Sequence, residues 1–353
     1  MFRKIVLGLI LLLGIGALLF YIWPQPKYEA GQPSDAFLKN AESFYVAPLP
    51  PDWTHKDFIT DDGRRIRWGE TGNRGAAKAT LVFVPGFGGV FEMYGEQIDQ
   101  LAERGFHVVG FEARGMGGGD RDNPKQPEQM NPSDFKTYSD DFAKFYTQHV
   151  TDIDHDKAVF GLSFGAHLSM RAIVEHDLNV QAFIGSAPAL RLLTGAEVSY
   201  EDAMKGLSLM RKLGRGEYFV PGAQKNWLPY SDDLTLAKPC GSHPERLYRR
   251  DVIFKDRLDL RTGGPTVNWV LELDESGSGY MTSDAFKAGY DVPTKFMLAD
   301  KDTIVDSAYV EGVCNQMDSC QVEYLTNTGH CLWVERDEVL NRLYDVVDEL
   351  LEN

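Results

Sequence analysis

Lys157-Ala-Val-Phe-Gly-Leu162 runs without a break into Ser163-Phe-Gly-Ala-His-Leu-Ser-Met-Arg-Ala-Ile-Val-Glu-His176, and the junction reads Gly161-Leu-Ser-Phe-Gly165. The first stretch is a short apolar run that predicts a buried strand, and the second carries helical periodicity. The junction is a G-x-S-x-G pattern, in which serine stands on a tight strand-to-helix turn with its hydroxyl exposed. Both glycines are needed because a side chain at either position would collide with the neighbouring strand or helix. With 34 glycines in 353 residues and serine near roughly 7% of an average chain, chance alone supplies this pattern about 0.2 times. The pattern is therefore weak by itself, and the strand before it and the helix after it give it weight.

Working outward, the same alternation recurs on both sides. Ala79-Thr-Leu-Val-Phe-Val84 predicts a buried strand, residues 91 to 104 a helix, His107-Val-Val-Gly-Phe111 a strand and residues 138 to 149 a helix. Val180-Gln-Ala-Phe-Ile184, Thr294-Lys-Phe-Met-Leu298 and Gln321-Val-Glu-Tyr-Leu325 add three strands, and Glu335 to Leu351 closes the chain as an amphipathic helix. Such alternation predicts an α/β fold, a mostly parallel doubly wound sheet covered on both faces. Between residues 190 and 288 it stops, and an amphipathic stretch with Met204, Leu207, Met210 and Leu213 takes over among scattered Gly, Pro and Trp. We read 190–288 as an inserted lid and 51–189 with 289–353 as the core.

A serine hydroxyl is a poor nucleophile until a base takes its proton, and the base needs an acid to fix its tautomer. In a sheet of this kind the partners follow the serine in the order acid, then histidine, on loops at the carboxyl ends of strands. Asp302 follows the strand at 294–298 and His330 follows the strand at 321–325. Asp300 and Asp306 compete with Asp302 for the acid role. Seven of the eight histidines have bland readings, His167 as a residue packed on the helix after the serine. An oxyanion needs backbone donors; the Phe164 N–H directly after Ser163 supplies one, and the loop Pro85-Gly-Phe-Gly-Gly89 supplies the other, from Phe87 N–H. No Gly-Lys-Ser/Thr follows that loop, which excludes a phosphate cradle.

The chain begins Met1-Phe-Arg-Lys and continues with an uncharged apolar run from Ile5 to Trp23, ended by Pro24-Gln-Pro. At 1.5 Å per residue this run spans about 28 Å, close to the roughly 30 Å hydrocarbon thickness of a bilayer. We expect residues 1–24 to be a membrane anchor or signal segment and 25–50 a Pro-, Gly- and Ser-rich stalk. Arg3 and Lys4 ahead of the run place the rest of the chain on the exported side, periplasmic or extracellular. A formal charge of −16 without a basic cluster excludes a nucleic-acid partner. Cys314 and Cys320 could close a small disulfide loop or remain buried thiols, whereas Cys240 and Cys331 stand too far apart to be paired by inspection. No Cys/His spacing reads as a metal site, and no cofactor is required.

Pro85-Gly-Phe, the Tyr94 region, Glu112-Ala-Arg-Gly-Met-Gly-Gly-Gly119, the turn at Ser163 and Gly329-His-Cys-Leu-Trp-Val-Glu-Arg336 together resemble the monoacylglycerol lipase and lysophospholipase branch of the α/β-hydrolases, over roughly residues 55 to 352. In the lid, Tyr248-Arg-Arg and Gly263-Gly-Pro-Thr with Trp269 resemble the bacterial inner-membrane lysophospholipases. The chain departs from that pattern at Leu162, Ala166 and Gly119, where the family usually has histidine, glycine and serine. The resemblance implies hydrolysis of a carboxylic ester on a single-chain lipid through an acyl-enzyme on Ser163. Arg114 is read as a brace of its loop. Families of serine aminopeptidases share the same motifs, so a peptidase or small-molecule esterase is the second reading, with Glu272, Asp274 or Glu275 holding a substrate amine. An inactive binding scaffold is the third.

Overall fold

The computed structural model describes residues 27–132, 134–195 and 198–352. The expected anchor at 1–24 lies outside the described residues, and among those no helix is long and apolar enough to cross a membrane. Eight strands, β1 (Thr54–Ile59), β2 (Arg65–Thr71), β3 (Ala79–Val84), β4 (Phe106–Phe111), β5 (Lys157–Leu162), β6 (Ala182–Ser186), β7 (Thr294–Ala299) and β8 (Cys320–Leu325), form one sheet in the order β1-β2-β4-β3-β5-β6-β7-β8. From β4 to β8 every pairing is parallel. At the other end β2 pairs antiparallel with β1 and β4.

The principal helices are α1 (Asp35–Ala41), α2 (Gly95–Glu103), α3 (Lys136–His149), α4 (Phe164–His176), α5 (Tyr200–Met210), α6 (Arg249–Asp256), α7 (Val267–Asp274), α8 (Ser307–Cys314) and α9 (Asp337–Leu351). Side chains alternate across a strand, and β3 shows the consequence. Val82 and Val84 pack on the face covered by α3, α4 and α8, while Leu81 and Phe83 pack on the face covered by α2 and α9. All six residues of β3, β4 and β5 are buried, as expected for strands with helices on both sides. The ends of β3, β5, β7 and β8 therefore open on one edge of the sheet, where the loops at 85–89, 163, 300–306 and 326–331 meet.

Of the segment expected to be a stalk, residues 27–50 pack against both the lid and the core: Phe37 of α1 is fully buried with Leu234, Leu247 and Tyr248, Tyr28 Oη donates to Glu128 at 2.7 Å, and Arg261 donates to the Gly31 carbonyl at 3.0 Å. Ser34 caps α1, accepting from Phe37 N–H at 3.0 Å. Phe37 and Ala41, one turn apart, give α1 an apolar face, a signal that the Pro- and Gly-rich composition had masked.

Candidate active site

Ser163 joins β5 to α4 with φ +50° and ψ −112°. A residue with a side chain in that region costs about 1–3 kcal/mol and persists only where its surroundings over-determine it. Those surroundings are present. A Cβ at Gly161 would overlap the backbone of Ala166, and one at Gly165 would overlap the Val84 carbonyl at the end of β3. Ser163 N–H donates to the Ser186 carbonyl at 2.8 Å, and its own carbonyl accepts from Ala189 N–H at 3.1 Å.

His330 Nδ1–H donates to Asp302 Oδ2 at 2.8 Å, which leaves Nε2 to accept from the Ser163 hydroxyl at 2.9 Å. Both partners are sequestered, with the Asp302 side chain 1% and that of His330 8% exposed. The other Asp302 oxygen accepts from the N–H groups of Ile304 and Val305, each at 2.8 Å. The two competing aspartates have other work. Asp300 accepts from Asn327 and Thr328 N–H, bonds that hold its carboxyl below the usual range, the Asn327 one most. Asp306 caps α8 through Tyr309 N–H. His167 is buried on α4, its Nδ1–H donating to Ala189 and its Nε2 accepting from Ser276 Oγ; burial pushes its pKa down to about 4.

Phe164 opens α4, so its N–H belongs to the first turn, where helix donors lack intrahelical acceptors. The 85–89 loop runs close beside it: a Cβ on Gly86 would sit 3.1 Å from the Leu162 carbonyl and 3.2 Å from Ser163 Cβ. Two groups that tie the turn at Phe91 to the 112–119 loop were given no role from sequence. Glu112, fully buried, accepts from Phe91 N–H at 3.2 Å and Gly118 N–H at 2.9 Å. Arg67 grips it at 2.8 and 2.5 Å and reaches Glu92 with its remaining donors. The signal was an acid directly after the fully buried β4. Arg114 does brace its loop, bonding Asp141 and Asp62 bidentately.

A cavity of about 300 Å³ lies over Ser163 and His330, roofed by lid residues that include Tyr230, Cys240, Leu247, Arg250, Pro265 and Trp269. The lid is stitched to the loop that carries His330. Cys240 and Cys331 form a disulfide across 91 residues, a pairing that sequence separation had concealed, and Cys331 N–H donates to the Cys240 carbonyl at 2.6 Å. Cys314 and Cys320 form the second disulfide. Glu335, fully buried, accepts from Gly329 N–H and Ser242 N–H, both at 3.1 Å, and so joins the same two segments. The three acids expected to hold a substrate amine do not line the cavity. Glu272 and Glu275 bond Arg211, and Asp274 bonds the Tyr200 hydroxyl. Among the described residues no group of three or more His, Cys, Asp or Glu side chains could hold a metal ion.

The serine aminopeptidase S33 family model matches residues 75–337. Lysophospholipase L2 of Escherichia coli K12 is 24% identical over 308 residues, covering 86% of this chain and 85% of that protein. The probable lysophospholipase L2 of Haemophilus influenzae is 23% identical over 286 residues, covering 78% and 84%. A soluble variant of monoglyceride lipase from Saccharomyces cerevisiae superposes with a TM-score of 0.64 at 16% identity, covering 88% of this chain and 99% of that one. With the family model spanning well over half its length, the chain belongs to the serine aminopeptidase S33 family of the α/β-hydrolases and is a lipase-like hydrolase.

Proposed function

We propose that this protein hydrolyses the carboxylic ester of a single-chain lipid, a lysophospholipid or a monoacylglycerol, through an acyl-enzyme on Ser163. The observation that carries the reading is the bonded run Asp302–His330–Ser163 at the floor of a largely apolar cavity. His330 Nε2 takes the hydroxyl proton as Ser163 Oγ attacks the acyl carbonyl, and Asp302 stabilises the resulting imidazolium. The N–H groups of Phe87 and Phe164 receive the oxyanion. The tetrahedral intermediate expels the glycerol oxygen, which takes the proton from Nε2. Water, deprotonated by the same nitrogen, then attacks the acyl-enzyme and releases the fatty acid. The similarity to lysophospholipase L2 of Escherichia coli and the shared fold with yeast monoglyceride lipase favour such a substrate.

Residues 1–24 serve as an anchor in this reading, with the catalytic domain on the exported side. The apolar length of Ile5 to Trp23 and the pairing of all four cysteines both suit an exported domain.

The test is fatty-acid release by the full-length chain in detergent from a lysophospholipid and a monoacylglycerol of the same acyl length, beside cleavage of an aminoacyl arylamide, with Ser163→Ala as control. Serine-dependent release from either lipid is expected. Arylamide cleavage without lipid cleavage would overturn the substrate assignment in favour of a peptidase.

A further inference from the structure

Apart from His330, Arg250 is the one ionisable acid or base of Asp, Glu, Lys, Arg or His type among the described residues lining the cavity over Ser163. Its neighbours on the lid are turned to other partners and do not line the cavity. Arg246 bonds Glu96, Asp337 and the Glu335 carbonyl; Arg249 reaches Glu96; Arg261 donates to three backbone carbonyls. Arg250 differs from them in lining the cavity. Its guanidinium lies 4.3 Å over the Tyr230 ring, and its Nε and Nη2 touch Asp251 Oδ1 at only 3.4 and 3.2 Å.

Asp251 is committed to other donors. It is fully buried, accepts from Tyr230 N–H at 2.8 Å and Trp227 Nε1–H at 3.1 Å, and does not line the cavity. It therefore orients Arg250 from behind. A guanidinium has five N–H donors in a planar fork; those of Arg250 meet Asp251 and the Tyr230 side chain, which leaves donor capacity beside a cavity with no carboxylate in its lining. The side chain keeps 21% of its surface accessible, which is where an incoming group would meet it. Tyr94 is a further residue of the cavity lining that carries a polar group. A cation stacked in place beside a mostly apolar space suits an anion that offers two acceptor oxygens; carboxylate and phosphate are the groups arginine pairs with in this way, and of these only phosphate belongs to an intact lipid ester of the proposed class.

We infer that Arg250 is a specificity-determining residue that binds the phosphate diester of a lysophospholipid and so favours phosphate-bearing lipids over neutral monoacylglycerols. The inference rests on the lipid-ester reading above. The same cavity offers no counter-charge to a cationic amine, which distinguishes this substrate class from an aminopeptidase's.

The experiment measures kcat and KM of the full-length wild type, Arg250→Met and Arg250→Lys on a lysophospholipid and a 1-monoacylglycerol of identical acyl chain in matched detergent micelles, with thermal melting of each variant. The expected result is a fall of about 10- to 100-fold in the ratio of kcat/KM for lysophospholipid over monoacylglycerol in Arg250→Met, carried mainly by KM, with partial recovery in Arg250→Lys. An unchanged ratio in a folded variant would overturn the assignment while leaving the lipid-ester reading intact. So would a weakened inhibition by free fatty acid with the ratio unchanged, which would put the acyl carboxylate at Arg250. Wild-type failure on both lipids would sink the lipid-ester reading itself, and this inference with it.

Discussion

The sheet and the lid divide the labour of this molecule unequally. Ser163, Asp302 and His330 stand on loops that leave β5, β7 and β8, each held by backbone bonds of the core, and none of the three comes from the inserted segment. The lid supplies Tyr230, Arg250 and Trp269 to the walls of the cavity. A parallel sheet buried on both faces fixes its strand ends rigidly, which the proposed proton relay requires. The lid is a run of short helices joined to the core by the Cys240–Cys331 disulfide, the Glu96–Arg246 and Glu96–Arg249 ion pairs and the Ser276–His167 bond. It can therefore change what enters without disturbing how it reacts.

The largest expected effect breaks the sheet side alone. Ser163→Ala should lower kcat by about 10⁴- to 10⁶-fold, and Asp302→Asn by about 10³- to 10⁴-fold, since the carboxylate fixes the imidazole tautomer. Both losses should be equal for every ester the enzyme accepts, with melting temperatures near wild type for Ser163→Ala. A loss that depended on the head group would blur the division between chemistry and selection.

Next comes the seam between the two regions. In the chain-entropy treatment, the 91-residue separation of Cys240 and Cys331 corresponds to about 4–5 kcal/mol of stability, and the 6-residue separation of Cys314 and Cys320 to about 2 kcal/mol. Denaturant unfolding of Cys240→Ser/Cys331→Ser against Cys314→Ser/Cys320→Ser checks the order. The first pair should also lower kcat, because Cys331 adjoins His330, whereas the second should affect stability only. Equal activity in both double variants would mean that the lid need not be sewn to the histidine loop.

The smallest effect concerns pH. His167 links α4 to the lid residue Ser276, and burial lowers its folded pKa to about 4 from an unfolded value near 6.5. The folded protein thus keeps a neutral imidazole while the unfolded chain binds a proton. The stabilisation is complete above about pH 6.5 and is lost as pH falls toward 4, by roughly 3 kcal/mol at most. His167→Gln should flatten the stability profile in that window, read from denaturant midpoints at successive pH values. An unaltered slope would show that His167 titrates normally.

Five of the six strands read from sequence were legible as apolar runs because burial on both faces leaves little room for polar residues; the edge strand β8, with only Leu325 buried, was legible by its alternation. β1 and β2 were not. In β1 only Phe58 is buried, and β2 interleaves Arg65, Arg67 and Glu70 with Ile66 and Trp68. Arg67 is tolerated there because Glu112 and Glu92 neutralise it, partners that adjacent sequence does not reveal. Ser163, Asp302 and His330 were legible through their order along the chain, since each follows a recognisable strand. The Cys240–Cys331 pair, the role of Glu335 and the distinction of Arg250 from Arg249 depend on how the lid folds back, and the lid carries no periodic pattern long enough to show it. The packing of Phe37 was hidden for a related reason: one turn of apolar spacing is a faint signal inside a Pro-rich stretch.

The most direct measurement is covalent labelling of the full-length protein with a fluorophosphonate bearing an alkyl chain, read by intact mass and by mapping of the modified peptide. One adduct per chain is expected, on Ser163, lost in Ser163→Ala and strongly slowed in His330→Ala. A wild-type protein that is folded yet unlabelled, or labelled on another residue, would contradict the assignment of Ser163 as the nucleophile.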